Sequence, residues 1–337
     1  MKLDSGFFSP TLADAGAAAQ KAEDIGFDAL WTAETSHDPF FPLVLAAQHT
    51  KKIKLGTAIA VAFPRSPMVL AQIAWDLQAH SHGRFILGLG TQVRGHNERR
   101  FGIKWEHPGP KLREMIQMIH AIWDCWQNNS RPSFVGQFYN FTLMTPFFNP
   151  GPISYPRPQI YIAGVNEYMC RLAGELCDGF HVHPFHSIKY LDEVTLPNIK
   201  KGLDKAGRKR GDVALSSTIF VITGRNDGEI EAAKGPVRQQ ISFYASTPAY
   251  AGVLECHGWG DTARRLTELS KRGAWADMAN EITDDMLEVY AVTAKQDDIV
   301  DTIKQRYEGY LDRLAFYFAP SGSDHGAWRE IVKSFHS

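Results

Sequence analysis

The sequence predicts an α/β protein, a (β/α)8 TIM barrel with insertions after its fourth and seventh strands. Three observations carry this. Short apolar segments alternate with segments of helical period, and eight such pairs fit into the 337 residues. The strands are apolar throughout, without polar alternation, as in sheets covered on both faces. Strand–helix repetition makes a parallel sheet, and eight units favour closing it into a ring; an open doubly wound sheet is the alternative. Neither arrangement requires an internal boundary, so residues 1–337 are expected to form a single domain.

Taken in order, Leu3 to Phe8 is the first strand and Ser9-Pro10 its turn. Thr11 opens a helix with Asp14 at the place of a capping-box acid, and Gly26 ends it at a left-handed position. "FDALWTAE" follows as the second strand. "IKLGTAIAVAF" is the third, closed by Pro64, and Ser66-Pro67 caps a helix running to about His80, where Gly83 breaks the chain. "RFILGLG" is the fourth. The helix after it shows Leu112, Met115, Ile116, Ile119, Ile122, Trp123 and Trp126 at helical spacing. Asn128 to Tyr155 is an excursion with room for a small hairpin. "QIYIAG", "DGFHVH" and "VALSSTIFVIT" are strands five to seven, with a helix from about Ser187 to Ala206 between the last two. Asp227 to Tyr290 is a mostly helical insertion, too long for one return helix. "DDIVDTIKQRYEGYL", "RLAFYFA" and "HGAWREIVKSF" complete the seventh and eighth units.

The 36 basic and 37 acidic side chains balance, which argues against a nucleic-acid partner. No run approaches the roughly 20 apolar residues of a membrane span, and the first residues carry no signal-peptide pattern. Cys125, Cys170, Cys177 and Cys256 form no CxxC pair and are expected to be reduced thiols of a cytoplasmic protein. "GLGTQVRG" is neither a P-loop nor a dinucleotide fingerprint, and no serine nucleophile elbow is present.

In such a barrel the chemistry sits on the loops after the strands. Those loops carry Glu34, Ser36, His37 and Asp38; Ala60, Val61, Phe63 and Arg65; Thr91, Gln92, Arg94, His96 and Asn97; and Gly164 to Glu167. His181, His183 and His186 follow from the sixth, and Ser321, Gly322 and Ser323 from the eighth. Five histidines are thus expected at one rim. Ala163-Gly164-Val165-Asn166 leads from a strand into a helix, where open N–H groups attract an anion such as phosphate. The plainer reading is a βα turn with Asn166 as N-cap.

The stretches "AEDIGFDALWTAE", "IKLGTAIAVAFPRSPMVLAQ", "GRFILGLGTQ" and "IYIAGVNEYMCRLAGELCDGF" keep barrel order over roughly residues 1–220. In them the chain resembles the bacterial luciferase-like superfamily of flavin- and deazaflavin-dependent oxidoreductases. "DDIVDTIKQRYEGYLDRLAFYF" is similar to the end of that family's barrel, and "TQVRGHNERRFG" to members dependent on coenzyme F420. The resemblance implies a non-prolyl cis peptide near Ala60-Val61, behind the cofactor ring. It implies a phosphate site at Ala163, Gly164, Val165 and Asn166, and a cleft lined by Gly90, Thr91 and Gln92. Deazaflavin dehydrogenases of the family often carry Asp-His after strand two; here the order is Ser36-His37-Asp38. The acid that sugar-phosphate oxidisers place soon after strand four is missing, so that substrate class is not supported. Relatives often dimerise, which admits a homodimer and leaves the oligomeric state open.

The function that follows is hydride transfer between bound F420 and a small organic substrate. His37 is the expected acid/base, and Asp38 its orienting partner or a cofactor ligand. His181 and His96 stand in reserve and, with Phe63, are expected to contact substrate; Phe40, Phe41 and Phe63 would exclude water. Gln92 and Asn97 are offered as hydrogen-bond partners of the cofactor, and Arg94, Arg99 and Arg100 as surface residues. The nearest rival is an FMN-dependent monooxygenase on the same barrel. Rivals of other classes are a metal hydrolase using His181-x-His183 and a non-catalytic flavin-binding protein; no metal is expected in the preferred reading. The excursion and the insertion are expected to shape the substrate pocket.

Overall fold

The computed structural model describes residues 1–6, 11–320 and 325–337. The expected turn at Ser9-Pro10 and the rim residues Ser321, Gly322 and Ser323 lie outside the described residues. The barrel strands are β1 (Lys2–Leu3, continuing at Ser5–Gly6), β2 (Ala29–Thr32), β3 (Lys54–Thr57), β4 (Phe85–Gly90), β5 (Gln159–Gly164), β6 (Gly179–Val182), β7 (Ala214–Gly224) and β8 (Arg313–Phe316). Neighbours in sequence are neighbours in the sheet, and every barrel pairing is parallel. The two halves of β1 close the ring: Lys2 and Leu3 face Arg313 and Leu314 of β8, while Ser5 and Gly6 face Leu30 and Trp31 of β2. The sheet is therefore closed, and the open alternative falls.

The return helices are α1 (Ala15–Ile25), α2 (Phe41–His49), α3 (Pro67–His80), α4 (Pro108–Asn128), α5 (Glu167–Leu176), α6 (Leu196–Ala206), α7 (Ile299–Tyr307) and α8 (His325–His336). Gly26 ends α1 at φ 103°, and Ser66 caps α3 by accepting from the Val69 N–H at 3.2 Å. The seven apolar residues at helical spacing in α4 are all buried. α1 starts later than expected: Asp14 is its N-cap but makes no capping bond, and Thr11 Oγ1 donates to the Asp14 carboxylate instead. Between Ile188 and Ala206 the helix is interrupted by a widened π turn at Leu191–Thr195. Pro197, just beyond, has no N–H to continue a regular ladder.

Two devices at the amino-terminal side of the strands fix the ring. Asp28, Asp178 and Asp312 each precede an even-numbered strand. Each accepts the backbone N–H of the strand before it: Leu3 at 2.9 Å, Ile160 at 2.8 Å and Leu215 at 2.7 Å. Arg84, at the foot of β4, donates to the Ala47 and Thr50 carbonyls that end α2, and to the Ile53 and Ser81 carbonyls. The orphan carbonyls of a helix C-terminus are thus answered by one buried guanidinium.

Side chains on the outward faces of the strands, among them Leu30, Leu55, Leu87, Ile160, Leu215 and Leu314, pack on the helices as one core. The barrel interior holds a smaller cluster of Ala29, Trp31, Ile86 and Tyr161. Glycines make room for its large members. A Cβ on Gly56 would stand 2.4 Å from Trp31, and one on Gly88 2.8 Å from His181 Nε2.

The two long segments fold in different ways. The excursion holds the anticipated hairpin, Phe134–Val135 against Asn140–Phe141. Its loop hangs on Glu114 of α4, which accepts the N–H groups of Gln137, Phe138 and Tyr139, and its return is held by Trp75 and Gln78 of α3. It begins at the end of α4 and packs back along α3 and α4, with Phe138 beside His107 at the start of α4. The insertion carries its own core, including Ile241, Leu254, Leu266 and Leu287. It ends in a strand that sequence patterning missed, Ala291–Lys295, parallel to the far half of β7.

Candidate active site

Strand ends and loops bring the site together at the carboxyl rim. β3 ends at Thr57, the Ala58–Ile59 peptide is cis, and Ala60–Val61 then pairs with Leu89–Gly90 of β4. The cis bond implied near Ala60-Val61 is thus corrected to two residues earlier. Ala60 and Val61 are both buried, and a Cβ on Gly90 would meet Ile59 at 2.9 Å. Side chains alternate along a strand. The interior positions beyond Trp31, Gly56 and Gly88 are therefore Ala58, Gly90, Ala163 and Ala315, a floor of small residues at the mouth.

Glu34 locks this bulge. Its carboxylate accepts the Val61 N–H at 2.7 Å and both Arg65 terminal nitrogens at 2.8 and 3.1 Å. Arg65 also donates to Asp38 at 2.7 Å, and Asp38 accepts the Phe40 N–H at 2.8 Å. Burial disfavours the Arg65 charge, but its hydrogen bonds to both carboxylates and their negative charge outweigh it and raise its pKa. Asp38 is therefore not the orienting partner expected for His37. The two side chains are not paired, and His37 stands exposed with no hydrogen-bond partner among the described residues.

After β4, Thr91, Gln92 and Val93 are half-buried. Gln92 has φ 59° and turns its side chain back onto the Val93 N–H. Asn97 is fully buried and donates to the Thr91 and Val93 carbonyls, so it builds the loop and offers no N–H to a ligand. Arg94 pairs with Glu98, and Arg100 reaches the Thr35 carbonyl, tying this loop to the one after β2. His96 is exposed on the short helix Arg94–Arg99. Phe63 and Phe40 are buried in the outer core, Phe63 against Trp105 and under Lys111, and Phe41 is exposed at the start of α2. Phe40 and Phe63, expected with Phe41 to exclude water, thus pack in the outer core.

At the end of β5, Ala163, Gly164 and Val165 are half-buried and Asn166 exposed. Asn166 is the N-cap of α5 but makes no side-chain cap bond. The N–H groups of Val165 and Asn166 have no acceptor among the described residues, and the first turn of a helix leaves its own N–H groups open. Gly164 is required already by packing, since a Cβ there would stand 2.4 Å from Met169.

The histidines divide. His181 is not on the rim: it sits inside the barrel, 4.9 Å from the Trp31 ring and 5.3 Å from Tyr161. Burial lowers its pKa to about 3, and Nε2 has no hydrogen-bond partner. The Trp31 and Tyr161 rings pack on it, below the rim where it was expected. His186 is buried behind the rim and bonds to the His183 carbonyl. His183 alone of the three stays half-exposed at the mouth. The two-residue period from His181 was the signal for it. Glu34 and Arg65 stand in the sequence as polar residues at strand ends, but nothing there pairs them, because their partnership spans two loops. Among the described residues no three His, Cys, Asp or Glu side chains gather into a cation site, and no helix is long and apolar enough to cross a membrane.

A closed barrel thus gathers a small-residue floor, a locked bulge and an open helix N-terminus at one rim, the end of such barrels on which enzymes carry their sites. The chain belongs to the luciferase-like monooxygenase family, whose pattern matches residues 3–313. It is 47% identical to an uncharacterized protein of Mycobacterium tuberculosis over 96% of this chain and 95% of that one. It is 28% identical to the 5,10-methylenetetrahydromethanopterin reductase of Archaeoglobus fulgidus over 84% of this chain and 83% of that one. Among solved structures, the coenzyme F420-dependent tetrahydromethanopterin reductase of Methanopyrus kandleri superposes with TM-score 0.77 at 19% identity, over 98% of this chain and 96% of that one. The oxygenating constituent of 3,6-diketocamphane monooxygenase from Pseudomonas putida, in complex with FMN, gives 0.68 at 18%, over 99% and 96%. These likenesses establish the luciferase-like barrel and include both F420-dependent and FMN-bound proteins.

Proposed function

We propose that this protein is an oxidoreductase that binds coenzyme F420 at the carboxyl rim and moves a hydride between it and a small organic substrate. The observation that carries the reading is the combination of small floor and open helix N-terminus at one mouth, in a chain 28% identical to a reductase of the methanopterin series. F420, when bound, supplies a ring carbon that accepts or gives hydride. The chain's own residues do the rest. The amides of Val165 and Asn166 and the start of α5 hold the phosphate of the tail, with Gly164 and Ala163 letting it approach. Ala60, Val61 and Gly90, braced by Glu34, give the ring a rigid back. Thr91 and Gln92 border the cleft. An imidazole nitrogen of His37, free of Asp38, exchanges the proton that accompanies hydride transfer. Asp38, fixed by Arg65, presents its remaining oxygen lone pairs to the rim.

Equilibrium titration of the purified protein with F420 and with FMN tests this. F420 is expected to bind in the micromolar range or tighter, with a change in its fluorescence, and FMN to bind far more weakly. Purification as a yellow, FMN-loaded protein would instead support the monooxygenase reading, which the FMN-bound Pseudomonas putida neighbour represents.

A further inference from the structure

One side of the mouth is walled by the insertion, and four rings meet there. His183, the first residue past β6, lies 4.4 Å from the Tyr250 ring and 4.6 Å from the Tyr244 ring. The hydroxyls of Tyr244 and Tyr317 are 2.7 Å apart. All four residues are half-buried, so each keeps some accessible surface. Strand alternation places His183 on the same side of β6 as His181, above it and toward the barrel axis. Val165, in the turn that precedes α5, packs against the same buried core as Tyr244, Tyr250 and Tyr317.

The His183 ring is held in one form. The Phe185 N–H donates to Nδ1 at 3.1 Å, so Nδ1 bears the lone pair and the proton sits on Nε2. Burial, with His186 adding to it, lowers its pKa to about 3, and the ring is neutral at neutral pH. Nε2–H has no hydrogen-bond partner among the described residues. A fixed, uncharged donor beside two tyrosine faces, with no cation or anion in the ring cluster, does not compensate the desolvation of a charged ligand.

We propose that His183 is a specificity-determining residue of this cleft: its Nε2–H donates to an uncharged carbonyl or hydroxyl oxygen of the substrate, whose apolar body packs on Tyr244 and Tyr250. This rests on the reading that the same mouth is where hydride transfer occurs.

Histidine-selective ¹⁵N NMR of the whole protein, with the His183→Phe variant to assign the signal, tests it. His183 is expected to show the Nε2–H form unchanged from pH 5.5 to 8. Cyclohexanone is expected to shift that signal, and cyclohexanecarboxylate or cyclohexylamine at equal concentration to leave it in place. His183→Phe, which keeps a ring in the stack, should weaken cyclohexanone binding about tenfold, the scale of one hydrogen bond. His183→Gln, which keeps an N–H, should restore most of it. Equal affinity for the charged probes, no response to cyclohexanone, or undiminished binding by a folded His183→Phe would overturn the proposal. A protein that fails to bind F420 yet responds at His183 would fail the cofactor reading and leave this one standing. F420 binding with a silent His183 would do the reverse.

Discussion

Glu34 sits where the loop after β2 meets the bulge after β3, with its side chain 6% exposed and both carboxylate oxygens engaged by Val61 or Arg65. Replacing it with Gln puts an amide donor against a guanidinium donor and leaves Arg65 half-buried without its main partner. Breaking such a pair costs about 3 kcal/mol. Asp38→Asn, at a carboxylate 32% exposed, should cost about 1 kcal/mol. Urea denaturation of both variants checks this, and equal midpoints for Glu34→Gln and the parent protein would refute it. Glu34, Arg65 and Asp38 are all visible in the sequence as polar residues at strand ends. Their mutual choice is not, because the adjacent pair His37-Asp38 looks the more natural partnership until the loops are folded.

At the scale of elements, β6 and the residues after it carry three histidines kept neutral by burial. Their pKa values fall from the ordinary 6.5 to about 3 for His181 and His183 and about 4 for His186. The unfolded chain therefore takes up protons first as the medium is acidified. Their contribution is complete above about pH 6.5 and is lost as the pH falls toward the folded values, at up to about 1.4 kcal/mol per pH unit for each histidine. The denaturation midpoint should drop steeply between pH 7 and 5, and a His186→Asn variant should show a shallower slope. A flat profile over that range would mean that the rings are charged or solvated in the folded protein. Strand and helix positions were largely legible, since period and caps are local properties: Gly26, Ser66 and the buried stripe of α4 all lie where their spacing puts them. The strand Ala291–Lys295 was not, because its pairing with β7 depends on an insertion folding back.

For the molecule as a whole, ring closure depends on the first and last strands meeting. Asp4 and Arg313 join them there by two bonds of 2.8 and 2.6 Å, and the Trp31 indole N–H completes the Asp4 carboxylate at 2.8 Å. Asp4→Asn would leave a guanidinium uncompensated in the barrel interior, at a cost of about 3–5 kcal/mol. A loss below 1 kcal/mol in equilibrium unfolding would show that closure does not rest on this pair. The aspartates that precede β2, β6 and β8 support the same closure from below. Each is legible afterwards as an acid just before an apolar run, but its partner lies on the preceding strand.

By itself the sequence determined the eightfold alternation, the order of the ring, most helix ends and the rim on which a ligand would lie. These follow from apolar periodicity and from glycine, proline and capping chemistry, all of which act over a few residues. The tertiary structure alone decided which side chains reach that rim. It sent His181 into the barrel and left His183 at the mouth, took Asp38 from His37 and gave it to Arg65, and packed the excursion back along α3 and α4. Those outcomes depend on burial and on contacts between distant loops, where a charge or a ring goes to whichever partner relieves its desolvation.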